Sequence, residues 1–108
     1  MRDYNHVTLV GNLIDNPKKY DKGEITTTQF VISVHKNYRK NYESEADFIP
    51  IVSTGKLAEI LSNNLKKGNR VLVDGKLHAT THDIDGQQKY IVEIIADEVT
   101  ILSPPTSK

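Results

Sequence analysis

One stretch, residues 47–68, limits what this chain can fold into more than any other. Asp47-Phe48-Ile49-Pro50-Ile51-Val52-Ser53-Thr54 is short, apolar and β-branched, and reads as a strand. A turn follows at Gly55. Beyond it Leu57, Ile60, Leu61 and Leu65 recur at helical spacing, which predicts one amphipathic helix with a single apolar stripe. Lys66 and Lys67 fall in its expected last turn, where the helix dipole favours cations, and Gly68 is a natural stop. No other segment has a convincing 3.6-residue period. A lone helix after the third strand of a β chain implies a small barrel whose open base the helix must close.

The remaining segments alternate at period two. Residues 5–14 form the first strand, with Val7, Leu9, Gly11 and Leu13 on one face; Gly11 suggests a bend at a barrel corner. Asp15-Asn16-Pro17 breaks it, and residues 18–23 read as a polar connection that turns at Lys22-Gly23. The second strand, 24–35, places Thr26, Thr28, Phe30, Ile32 and Val34 together. Residues 36–46 show no apolar period and are expected to be a long exposed loop. Pro50 in the third strand implies an edge or a bulge, because proline cannot donate to the ladder. The fourth strand starts near Arg70, bends at Gly75 and continues to about Thr81. His82–Gln87 is a hairpin tip with Asp85-Gly86 as its turn signal. The fifth strand covers 89–102, with Asp97-Glu98 read as a solvated bulge that interrupts it. An all-β chain of five strands, with one helix between strands three and four, matches the OB-fold order, a partly open Greek-key barrel. Residues 1–103 are expected to be that domain and 104–108 a short flexible end.

Composition narrows the function classes. Fourteen basic and fourteen acidic residues cancel, so any polyanion site must come from local clustering. There is no cysteine, hence no disulfide framework and no thiolate metal site. No apolar run approaches the roughly 20 residues of a membrane span, and the N-terminus has no signal-peptide core. The expectation is a soluble cytoplasmic protein.

Catalysis is poorly supported. The histidines, His6, His35, His78 and His82, show no ligand spacing with one another, and there is no glycine-rich phosphate loop. His82-Asp83-Ile84-Asp85 reads as turn chemistry in preference to a metal site. No cofactor is expected. A single-strand binder needs cations for phosphates and flat side chains for bases. Residues 36–42 supply both: Lys36, Arg39 and Lys40 interleave with Tyr38 and Tyr42. The bland alternative is a solvated loop with incidental tyrosines. On the third strand Ile49 and Ile51 are the better core candidates, which leaves Phe48 toward a groove or a subunit partner.

The chain resembles bacterial and phage single-stranded DNA-binding proteins. The matching stretches are Asn5–Leu13 with Asp15-x-Pro17, Asp47-Phe48 leading to Gly55-Lys56-Leu57-Ala58-Glu59-Ile60, Leu65–Gly68, Val73-x-Gly75-x-Leu77, and Gly86-x-x-x-Tyr90 with Glu93-Ile94. They run in order over residues 5–102. The resemblance implies an OB barrel that coats single-stranded DNA without sequence preference in replication, recombination or repair. It also implies a homo-oligomer, a tetramer or a dimer, with a contact at the strand-one edge near His6 and Thr8. The family's stacking positions fall on Tyr38, Phe48, Thr54 and His82; Thr54 lacks a ring, and Tyr42 or Tyr90 is the candidate substitute. Its cationic contacts fall among Lys36, Arg39, Lys40, Lys56 and Arg70, with Lys76 and Lys89 read as solvated. Family members usually carry an acidic tip that recruits replication and repair proteins. The sequence here closes on Pro104-Pro105-Thr106-Ser107-Lys108, so such recruitment is left open. Two alternatives stand beside this reading: an OB-fold primosome or assembly subunit acting through protein contacts, and an RNA-binding OB module.

Overall fold

The computed structural model describes residues 2–36 and 45–104. Its elements are β1 (Val7–Leu13), β2 (Lys18–Lys22), β3 (Ile25–His35), β4 (Ala46–Thr54), α1 (Gly55–Asn64), β5 (Arg70–Ile84) and β6 (Gln87–Ser103). The hydrogen-bonded order is β1-β5-β6-β4-β3-β2, and β1 also pairs with β3. That extra pairing closes the ring β1-β5-β6-β4-β3. All contacts in it are antiparallel except β4 with β6. The ring is the expected five-stranded barrel.

The polar connection expected at 18–23 is instead a strand. β1 and β2 run along the same edge of β3, through Leu13↔Ile32 and then Lys18↔Gln29, so they act as one long strand broken by Ile14–Pro17. Alternation is hidden in β2 because both of its faces are polar.

The core repeats the sequence periodicity. Leu13, Phe30, Ile32, Ile51, Val71, Val73 and Ile94 fill the barrel, and Leu61 and Leu65 close its base. Two glycines let strands approach where the barrel turns. A β-carbon at Gly11 would lie 2.5 Å from the Ser33 carbonyl oxygen, and one at Gly75 would collide with the carbonyl of Ile95. The ladder slips by one residue between Asp74 and Gly75, so Asp97 is bulged out of β6. Among the described strands only β3 flanks the β4 segment at Pro50, since β6 meets β4 at Ile51 and Val52 alone.

The helix departs from its expected span. It ends at Asn64, and Leu65 is already extended. Lys66 and Lys67 therefore lie in a following turn, not in the last helical turn. The cause is tertiary: the buried Asn69 side chain accepts the Lys66 N–H at 2.7 Å, Gly68 donates to Leu13 at 2.9 Å, and Leu13 donates back to Asn69 at 2.9 Å. These bonds draw the chain off the helix and onto β1. Ile60 is exposed, and Ala58 is buried in its place. The Thr28 hydroxyl donates to the Ala58 carbonyl at 2.8 Å, which seats α1 on β3.

Among the described strands β5 pairs with β6 alone beyond Gly75; the Asn5 side chain still holds the Leu77 backbone at 2.8 and 2.9 Å, and past it the two strands continue as a two-stranded arm. Leu77, Ile84, Tyr90, Ile91 and Val92 are exposed along it. Its tip is tighter than expected: Asp85 (φ 53°) and Gly86 (φ 79°) make a two-residue turn with positive φ at both positions.

Candidate nucleic-acid interface

Cross-strand register defines the face. Residues paired across a ladder share a side of the sheet, and strand neighbours alternate. Thr26, Thr28, Phe30 and Ile32 are the buried even-numbered row of β3, so by alternation Thr27, Gln29, Val31 and Ser33 fall on the outer side, where Ser33 alone is buried, its hydroxyl donating to the Asn12 carbonyl at 3.4 Å. Their partners on β4 are Thr54, Val52, Pro50 and Phe48. Lys18, Tyr20 and Lys22 on β2 oppose Gln29, Thr27 and Ile25. Glu93 and Ile95 continue the face on β6, beside Pro50 and Val52.

This surface has relief. A cleft of about 300 Å³ is walled by Ile14, Lys18, Tyr20, Gln29, Pro50 and Glu93. A second, mostly apolar cleft of about 410 Å³ opens at the barrel mouth, walled by Val7, Leu9, Phe48, Ile49, Leu77 and Val92. Pro50 and Glu93 line both, so the two are contiguous. Phe48 stands at the rim of the second with 63% of its surface exposed. An exposed ring on a strand, beside a mostly apolar cleft, is chemically suited to stack a base.

The other expected site residues are distributed unevenly. Thr54 is exposed at the end of β4 and caps α1 without a side-chain hydrogen bond. Lys56 follows it in the first helical turn and is exposed. Lys36 lies 3.7 Å from Glu45 and 3.8 Å from Asp47, so its charge is shared with two carboxylates. His82 sits on the two-stranded arm opposite Lys89, on the outward side. Asp83 points the opposite way from His82, as strand neighbours must, so the two do not converge. Among the described residues no cluster of histidine, cysteine and carboxylate groups is able to hold a metal ion. Arg70 lies elsewhere, on the outer side of the β1–β5 ladder, donating to Asn12 at 3.1 Å. Tyr90 is 79% exposed on the arm and is not a core residue. Tyr38, Arg39, Lys40 and Tyr42 lie outside the described residues. The segment that carries them joins Lys36 to Glu45, whose backbones pair at 2.9 Å beyond the end of the β3–β4 ladder.

Sequence reasoning missed Lys18, Tyr20 and Lys22. A period-two signal exists there, basic–aromatic–basic at alternate positions, but Lys19 and Asp21 on the reverse side mask it.

Residues 4–102 match the model of the single-strand binding protein family. The chain is 41% identical over 103 residues to the single-stranded DNA-binding protein of Caldanaerobacter subterraneus subsp. tengcongensis, covering 93% of this chain and 69% of that protein. It is 38% identical over 101 residues to the protein of the same name from Clostridium tetani, covering 91% and 70%. Single-stranded DNA-binding protein 1 of Clostridium acetobutylicum is 39% identical over 102 residues, covering 91% and 93%. Among solved structures, the Plasmodium falciparum SSB complex with ssDNA has the same fold, with a TM-score of 0.85 at 23% identity over 95% of this chain and 98% of that one.

Proposed function

The chain belongs to the single-strand binding protein family, and from that premise we propose that it binds and coats single-stranded DNA without sequence preference, in replication, recombination or repair. The observation that carries this reading is Phe48, an exposed ring at the rim of the apolar cleft of about 410 Å³. Bases stack on Phe48, with His82 as a further platform on the arm. Lys36 and Lys56 neutralise phosphates at either end of β4. Tyr38 and Tyr42 as stacking rings, and Arg39 and Lys40 as phosphate ligands, are assigned on sequence pattern and resemblance. Arg70 serves a strand only where the strand wraps round to the β1–β5 side.

Nothing in this mode of action needs a catalytic group, and we assign none. No helix among the described residues is long and apolar enough to cross a membrane, and the proposed place of action is the cytoplasm, with the DNA. The protein is proposed to act as a homo-oligomer. Support for this comes from β1, where Val7–Val10 pair with β5 on one edge and with no described strand on the other. An uncovered edge of that kind accepts a second chain.

Titration with oligo-dT at rising salt tests the proposal. Binding should weaken linearly on a log–log plot, with a slope of about −0.7 per phosphate neutralised. Affinity for duplex equal to that for single strands would refute it.

A further inference from the structure

We propose that β2 is a second arm of the binding surface, in which Tyr20 is a base-stacking platform and Lys18 and Lys22 hold the phosphates on either side of the stacked base. The inference rests on the single-strand reading above and extends it to a strand that reading does not use.

Three observations carry it. First, the register puts Lys18, Tyr20 and Lys22 on the outward face, in line with Gln29, Thr27 and Ile25 of β3. Alternate residues on a strand are spaced by about 6.6 Å, so a cation stands on each side of the ring. Second, charge on β2 is sorted by face. Lys19 and Asp21, on the reverse side, lie 4.0 Å apart, and Asp21 also accepts the Thr26 hydroxyl at 2.9 Å. Lys18 and Lys22 have no carboxylate within ion-pair distance among the described residues. Of the three lysines on β2, the two on the candidate face are thus the ones available to an outside anion. Third, Tyr20 is half exposed and walls the cleft of about 300 Å³ that continues to Pro50 and Glu93. Its row across the sheet, Tyr20–Thr27–Thr54, holds only small side chains after the ring. It leads to Lys56 two residues later. A ring with small neighbours in its row leaves space for a flat partner, whereas a ring serving only to cover apolar core has no use for paired cations.

The test uses the full chain and oligo-dT, with folding of each variant checked by circular dichroism. Tyr20→Ala should bind about tenfold more weakly, the loss of one base–aromatic stack, while Tyr20→Phe, which keeps the ring, retains most of the affinity. Adding Thr54→Phe to Tyr20→Ala returns a ring to the same row, about 10 Å away, and should recover binding; Thr54 makes no side-chain cap bond that the change would break. Lys18→Ala with Lys22→Ala should flatten the salt slope by about 1.4. A folded Tyr20→Ala chain that binds as tightly as the wild type, or equal losses in Tyr20→Ala and Tyr20→Phe, overturns the inference alone. A wild-type chain that ignores oligo-dT overturns the single-strand reading with it.

Discussion

At the scale of single residues, exposure and pairing separate function from structure. Phe48 supports no core, so Phe48→Ala should leave the thermal midpoint nearly unchanged. Its affinity for oligo-dT should fall by about tenfold, one stack's worth, as read by fluorescence titration. Ser53 is the opposite case. It is fully buried, and its hydroxyl is the one buried side-chain polar atom without a partner among the described residues. An unpaired buried hydroxyl costs about 1–3 kcal/mol in desolvation. Ser53→Ala should therefore raise the urea midpoint or leave it unchanged, where most buried substitutions lower it. Phe48 was legible in the sequence, because Ile49 and Ile51 claimed the core and the alternation turned Phe48 outward. Ser53 was not, because nothing in a strand pattern says whether a hydroxyl will meet a partner.

At the scale of elements, the barrel depends on two close approaches and one plug. Gly75 lies where the β5 and β6 backbones crowd together at the bulge. Gly75→Ala should cost about 3 kcal/mol, the upper end of overpacking penalties, measured by urea unfolding. Leu61 closes the barrel base from α1. Leu61→Ala should cost about 2–5 kcal/mol, the range for emptying a packed leucine site. Both glycine bends and the helix could be read from the chain, since each shows as a break or a change in period. The end of the helix could not. Lys66 and Lys67 suit a last turn electrostatically, worth about 0.3–1 kcal/mol, but the Asn69, Gly68 and Leu13 bonds act together and outweigh it. β2 stayed hidden for a related reason: an edge strand that is polar on both sides has no hydrophobic period to read.

For the molecule as a whole, zero net charge means that binding depends on where the lysines stand and not on how many there are. Lys18, Lys22, Lys36 and Lys56 are among the described lysines that border the candidate face or its ends. If each neutralises one phosphate, the salt slope from these alone is about −2.8. A slope close to zero would show that they stand idle. The open edge of β1 and the apolar arm of β5 and β6 both leave surface to be covered, and sedimentation should give a multiple of the monomer mass.

All the strands but β2, the single helix, the inward faces of the barrel strands and the outward turn of Phe48 follow from period and composition, because local sterics and the burial of alternate apolar residues act along the chain itself. The tertiary structure alone decided three things: that β1 and β2 share an edge of β3, that Tyr20 falls in a row with Thr54, and that Arg70 stands on another side of the barrel from Phe48. Each of these is set by register between strands far apart in sequence, and register is fixed by barrel closure, which no local pattern contains.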